Sequence, residues 1–320
     1  MEKPSNLTFS IKPFLSELET EQVKALEAHC VNVDQIALKL ELDYKLSVAK
    51  SLNFQGEEMN EFLCYDKSRL VGYAGALSFA GSEPEVSGMV DPAYRRQGIF
   101  DALTWFVIQE LSKRQVSSML LLTDRASNAG QAFVKKQETV LDHTEYEMFL
   151  KLPWEISLTN DMKKGIRLRK ATNQDADEVA RQNAIYFVQE GQASDGQTGT
   201  NPASSETSEA ASERRILPEE EEERGMTIYL AEVGDQTTIG KIHLDFRIGQ
   251  GGIFGLGILP EHRNKGYGRA LLLSGIEILL EEGAEEVYLQ VNAVNENALK
   301  LYLSCGFEVT STMDYYRLKL

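Results

Sequence analysis

The chain has 320 residues and 49 Asp and Glu against 33 Lys and Arg, a net charge of −16. So acidic a chain lacks the basic face that neutralises phosphates, which excludes a nucleic-acid binder and gives no attraction to an anionic membrane surface; a cationic small-molecule partner is compatible with it, as is plain solubility. Cys30, Cys64 and Cys305 are too widely spaced for a disulfide framework or a metal-ligand set, and neither a signal-type N-terminus nor an apolar run of roughly 18 residues is present, which predicts a reduced, cytoplasmic chain with no bound metal and no membrane span.

Along the first half strands and helices alternate. Ser16 to Cys30 has apolar residues at helical spacing with Ser16 as N-cap, and Ile36 to Leu52 reads as a second helix. Glu61 to Phe79 reads as a hairpin turning near Lys67 and Ser68, and Val86 to Val90 as a short strand stopped by Pro92. Phe100 to Ser112 is an amphipathic helix, Met119 to Thr123 a buried strand, Gln131 to Lys136 a short helix, and Tyr146 to Leu152 an apolar-polar alternation. The second half repeats the order: a strand over Ile166 to Arg169, a helix over Asn173 to Val188 capped by Thr172 or Asn173, and strands over Thr227 to Glu232, Ile239 to Phe246 and Gly252 to Leu259. A helix over Tyr267 to Glu282, a strand over Val287 to Val291, a helix over Asn297 to Ser304 and a strand over Tyr315 to Leu320 complete it. The pattern is an α/β internal duplication with a period near 165, dividing into domains 1–153 and 154–320. The Ser-, Gly- and Glu-rich segment 189–225, which ends in the run Glu219 to Glu223, reads as a flexible acidic insertion.

One stretch carries chemistry. A hydrophobic strand, Gly252 to Leu259, ends at Pro260; Arg263-Asn264-Lys265-Gly266-Tyr267-Gly268-Arg269 then opens an amphipathic helix. Unpaired amides and the positive dipole end at a helix start bind anions, glycines let backbone approach a ligand, and Arg263, Lys265 and Arg269 add charge where a diphosphate would lie. A dinucleotide fingerprint needs a third glycine directly after the strand with an acidic residue about 20 positions on, and a P-loop needs Gly-Lys-Ser/Thr; neither is present.

These residues resemble the Arg/Gln-x-x-Gly-x-Gly/Ala pyrophosphate loop of the GNAT superfamily of acyl-CoA-dependent N-acyltransferases. The likeness continues in Asn295, Ala298, Leu301, Tyr302, Gly306 and Phe307, at the spacing of that superfamily's Asn-x-x-Ala-x-x-Leu-Tyr and Gly-Phe element, and spans about Gly165 to Leu320. The resemblance implies two tandem GNAT-like domains, each a mixed, mostly antiparallel sheet flanked by helices. It implies acetyl-CoA as acyl donor to a primary amine that attacks the thioester directly. Leu256 and Ile258 would offer backbone groups to the pantetheine arm, Arg263 to Gly268 would hold the diphosphate, Asn295 would bond the pantetheine, and Tyr302 would return a proton to the thiolate. An amide near Ile258 would meet the oxyanion, and the acceptor pocket would be built by the first helices and the last strands. By the residues alone, Tyr302 reads first as a core aromatic beside Phe307, and Asn295 equally as a helix cap. The general base stays open among Asp245, Glu232 and His243; His262 reads as exposed and Cys305 as packing.

The first half holds a degenerate counterpart. Met89 to Phe100 contains Val90, Pro92, Arg95, Arg96, Gln97, Gly98 and Ile99, but Phe100 replaces the second glycine. Matching Gln137 to Gly306 places Phe133 at Tyr302, and only Ser127 or Asn128 stands in for Asn295. Phe133 has no proton to give, so this half is expected to bind CoA, through Val90, Arg95, Arg96, Gln97, Gly98, Ile99 and Phe100, or to be structural, without turnover. The alternative for the whole chain is a non-catalytic acyl-CoA sensor or scaffold.

Overall fold

A computed structural model describes residues 7–51, 58–78, 82–154, 165–191, 216–247 and 249–320. The junction and the acidic insertion fall largely outside these residues, at 155–164 and 192–215. The chain divides into two compact units: residues 1–145 with 311–320, and residues 146–310.

In the first unit β1 (Leu7–Lys12), β2 (Glu61–Asp66), β3 (Arg69–Leu77) and β4 (Glu85–Val90) pair antiparallel in sequence, and β5 (Ser118–Asp124) joins β4 in parallel. β12 (Phe307–Lys319) supplies the next strand, antiparallel to β5 from Met313↔Asp124 to Lys319↔Ser118. Alternation sends strand side chains to opposite faces. Phe62 and Cys64 pack with Leu103, Val107 and Leu111 of α3 (Ile99–Lys113), whereas Leu63 and Tyr73 pack with Val23 and Leu26 of α1 (Glu17–Asp34) and Leu42 of α2 (Leu42–Ser51). Ser16 starts α1 through a capping box with Glu19.

The second unit follows the same plan. β7 (Arg167–Lys170), β8 (Met226–Val233), β9 (Thr237–Arg247) and β10 (Gln250–Ile258) are antiparallel, and β11 (Glu286–Asn292) joins β10 in parallel. Residues 146–150 of β6 (Val140–Leu150) lie beside β11. α4 (Asn128–Lys136) belongs to the first unit and α5 (Ala176–Gly191) to the second, as do α6 (Pro218–Glu223), α7 (Tyr267–Glu281) and α8 (Glu296–Ser304). Ile242 and Leu244 of β9 meet Leu272 and Ile276 of α7; on the other face Ile228 and Leu230 of β8 meet Val179 of α5. A Cβ at Gly275 would come within 2.6 Å of Ile242 Cδ1, so α7 lies as close to the sheet as glycine allows.

Most predicted elements are found, displaced by a few residues at their ends, but β6 begins at Val140, six residues before the predicted alternation. α2 begins at Leu42 rather than Ile36, because Gln35 and Glu41 take left-handed conformations (φ 52° and 53°) and bound a loop between them. β1 was not expected, and β12 is far longer than Tyr315 to Leu320. No helix among the described residues is long and apolar enough to cross a membrane.

Candidate active site

β10 and β11 pair only from Gln250↔Glu286 to Ile253↔Leu289 and then part. On its other side β10 loses register with β9 between Phe254 and Gly257, at a bulge where Gly255 has φ 52°. Both effects leave the run from Phe254 to Ile258 turned away from β11, with the backbone of Leu256 and Ile258 along the parted edge. Tyr186 of α5 lies against Gly257 so closely that a Cβ there would sit 2.3 Å from its ring.

At the end of β10 the chain makes one short turn at Pro260–His262 and enters α7 through Asn264 (φ 61°) and Gly266 (φ 84°, the N-cap). Asn264, Lys265 and Gly266 are exposed. Arg263 is half-buried, and its Nε donates to the Ile258 carbonyl at 2.9 Å. Lys265 Nζ donates to the Glu261 carbonyl at 2.9 Å, and Arg269 Nη1 donates to Ser304 Oγ and O at 2.7 and 3.0 Å, tying the start of α7 to the end of α8. A Cβ at Gly268 would meet only Leu301 and Ile258, at 3.7 and 3.8 Å, ordinary contacts. Asn295 is the N-cap of α8, its Oδ1 accepting from the Ala298 amide at 3.2 Å. Tyr302 is 8% exposed, its ring edge-on to Phe307 with centroids 6.1 Å apart.

The first unit repeats this geometry 168 positions earlier. Arg95 Nε donates to the Val90 carbonyl at 3.0 Å, Arg96 has φ 62°, and Gly98 caps α3 with φ 81° and open space beside it. β4 and β5 pair only at Glu85↔Leu120 and Val86↔Leu121, and the gap that opens beyond is a cavity of about 610 Å³ lined by Val86, Gly88, Val90, Gly98, Ile99 and Phe133 among others. The differences are in charge and bulk. Arg95 is held by both carboxylate oxygens of Asp34 (2.9 and 2.6 Å), and Asp101, paired with Lys136, stands where the second unit has Arg269. Phe100 turns its ring onto Gly88 and meets Phe133 edge-on at 4.7 Å.

The helix caps also realign the two copies. Ser127 caps α4 by accepting from Gly130, as Asn295 caps α8, so Ser127 rather than Asn128 is its counterpart. Counted from these caps, Val134 and not Phe133 falls at Tyr302; Phe133 matches Leu301. The shift arises because Gln137 corresponds to Cys305, one residue before Gly306. Val134, 2% exposed, has no hydroxyl either.

Two of the carboxylates weighed as general base are engaged. Glu232 accepts from Arg169 Nε at 2.8 Å, and the same guanidinium grips Asp175, whose carboxyl it draws down to about 2. Asp245 accepts from Arg247 Nε at 3.0 Å. His243 has Lys241 beside it, with Lys241 Nζ 2.9 Å from its Nε2. Lys241 was not singled out in the sequence, although the alternation Lys241, Ile242, His243, Leu244, Asp245 puts lysine, histidine and aspartate on one face.

A strand parted from its parallel neighbour, bulged opposite the next strand and running into a left-handed loop at a helix start is the architecture of a GNAT acyltransferase. Residues 196–307 match the model of the Acetyltransferase (GNAT) family: the chain contains a domain of that family and is an acetyl-transferring enzyme, of a family that uses acetyl-CoA. The chain is similar to the mycothiol acetyltransferase of Clavibacter sepedonicus, with 29% identity over 242 residues, 74% of this chain and 73% of that protein. A shorter stretch of 58 residues, 18% of this chain and 19% of its relative, is 47% identical to the mycothiol acetyltransferase of Kocuria rhizophila. Among solved structures, a GCN5-related N-acetyltransferase from Sphaerobacter thermophilus superposes with a TM-score of 0.71 at 16% identity, covering 97% of this chain and 95% of that one. A tandem GNAT protein from the clavulanic acid biosynthesis pathway gives 0.67 at 15% identity, covering 98% of each. These two share the fold.

Proposed function

We propose that the C-terminal half, residues 154–320, transfers an acetyl group from acetyl-CoA to a primary amine by direct attack on the thioester. The observation that carries this reading is β10 itself: it leaves β11 after Ile253 and ends in the loop whose φ is positive at Asn264 and Gly266. Leu256 and Ile258 offer the pantetheine arm the hydrogen bonds of an added strand. The amides from Arg263 to Gly268, with Tyr267 and Arg269 in the first turn of α7, hold the diphosphate against the positive helix end. Arg263 contributes by fixing the loop to the Ile258 carbonyl. Asn295 caps α8 and bonds the pantetheine, an amide near Ile258 meets the oxyanion, and Tyr302 protonates the leaving thiolate.

The relatives' name makes the acetyl acceptor of the mycothiol acetyltransferases the first amine to try, and the charge of −16 favours a cationic acceptor. The cavity of about 610 Å³ supports a second role for residues 1–153: binding CoA without turnover, with Val90, Arg95, Arg96, Gly98, Ile99 and Phe100 around it and Gln97 in the same loop. Binding without turnover by both halves is the sensor or scaffold reading.

Calorimetry and a thiol-release assay over an amine panel test these readings. Gly266→Glu sets a carboxylate against the diphosphate and strains a left-handed residue, and is expected to abolish acetyl-CoA binding in the C-terminal half. Undiminished binding stoichiometry in that variant would overturn the assignment of the loop. Binding without thiol release against every amine would favour the sensor.

A further inference from the structure

Beneath the bulge of β10 lies an ionisable pair that the steps above do not use. Lys241 is fully enclosed, 0% exposed; its Nζ is 2.9 Å from His243 Nε2 and donates to the Gly255 carbonyl at 3.3 Å, with the Tyr186 ring centroid 5.6 Å away. His243, on the same face of β9, is half-buried. The bulge residue Gly255 rests on its imidazole, where a Cβ would come within 3.1 Å of Cδ2. An enclosed amine whose ionisable neighbour is partly open exchanges protons through that neighbour.

The neighbouring strands present apolar groups, and the polar groups nearby lie on α5 and further along β9. Opposite the pair β8 presents Leu230 and Ile228, and β10 presents Gly257 and Phe254. From α5, Tyr186 faces Lys241, its phenol pushed up by burial and donating to Gln182. Further along β9 is Asp245, held by Arg247. Burial lowers Lys241 to about 7, and burial together with the Lys241 charge keeps His243 well below its ordinary value. A lysine so placed is neutral often enough near pH 7 to accept a proton.

We propose that His243 and Lys241 form a two-step proton acceptor for the incoming ammonium, with His243 as the catalytic residue and Lys241 as the positioning residue that stores the proton. The inference rests on the transferase reading of this half. With Lys241 neutral, His243 Nε2–H donates to Nζ and Nδ1 offers its lone pair. The acceptor ammonium gives a proton to Nδ1 while the Nε2 proton passes to Nζ. The products are a free amine, a neutral imidazole in its other tautomer and a Lys241 ammonium. Only N–H bonds break and form, and the proton returns to water by the same route after the amide leaves. The N–H proton lost from the tetrahedral adduct is separate and goes to the thiolate through Tyr302.

The equivalent positions of the first unit carry no such pair. The positions 168 residues earlier are Tyr73 and Gly75. Tyr73, 0% exposed, is closed in by Lys45 at 3.1 Å and Glu61 at 2.5 Å, and a Cβ at Gly75 would strike Lys45 Nζ.

The test is kcat/KM from pH 5.5 to 9.5 for the full chain, for Lys241→Met and for His243→Gln, with the acetyl-CoA Kd of each by calorimetry. Alongside, wild-type protein labelled at lysine Cε is titrated by NMR. The wild-type rate is expected to rise with pH and level off above about 7. Each variant is expected to lose tenfold or more at pH 7, to keep rising toward the amine's own ionisation, and to bind acetyl-CoA within about twofold of wild type. In the labelled protein one lysine signal, displaced in His243→Gln, is expected to titrate near 7. Variants that match the wild-type profile in a working transferase overturn the relay alone, as does a lysine set that titrates wholly above pH 9, a result that needs no variant to fold. A wild-type protein that binds acetyl-CoA and frees no thiol with any amine overturns the transferase reading and the relay with it.

Discussion

Tyr302 and Lys241 make opposite demands on the same half of the chain. Tyr302 keeps a hydroxyl within a largely apolar contact beside Phe307. Tyr302→Phe preserves that packing, so turnover is expected to fall by about an order of magnitude or more near neutral pH while acetyl-CoA affinity stays within about twofold, as steady-state kinetics and calorimetry will measure. Lys241 costs stability. Its value in the folded protein, about 7, lies below its ordinary 10.5, so between those limits the unfolded chain holds more protons and stability rises with pH. The cost is complete below about 7 and amounts to on the order of 5 kcal/mol at most. Lys241→Met is therefore expected to melt higher than wild type at pH 6, with the gap closing toward pH 10, by calorimetric scanning. The roles of single residues were unevenly legible. Asn295 as a cap could be read from type and position; for Lys241, alternation places it on the face of His243, but its full enclosure comes from tertiary packing around β9, which no local pattern announces.

At the scale of elements, the strand-loop-helix units were the most legible part. Pro260 and Gly266, like Pro92 and Gly98, mark turns with specific backbone needs, and both loops follow one geometry to within a few degrees at their glycines. The second glycine is different. The space beside Gly268 accepts a Cβ at ordinary contact distances, which explains how the first unit carries Phe100 there. Gly268→Ala is expected to change acetyl-CoA affinity less than about twofold and to raise stability by a few tenths of a kcal/mol, since alanine is the better helix former. What sequence periodicity missed, it missed for physical reasons. Between Gln35 and Glu41 the apolar spacing continues while two left-handed residues break the helix. In β12 the run Glu308 to Thr312 has only Val309 as an apolar residue and so gives little periodic signal, yet it belongs to the strand that runs to Lys319.

For the molecule as a whole, the duplication was readable and its bookkeeping by residue was not. Aligning the copies by Gln137 and Gly306 displaced the second half's tyrosine by one position, and only the caps at Ser127 and Asn295 fix the count. Nor did any motif announce that the first unit includes residues 311–320. A fragment of residues 1–145 keeps β5 but lacks the strand that pairs with it from Ser118 to Asp124, and an open strand edge invites association. Such a fragment is expected to aggregate or to show poor amide dispersion by NMR, and a version with residues 311–320 joined through a flexible linker is expected to be soluble and dispersed. The same allocation governs biosynthesis. The opening 145 residues leave the ribosome long before Met313 to Lys319 exist, so during translation β5 waits with one flank bare, and the half made first is the half completed last.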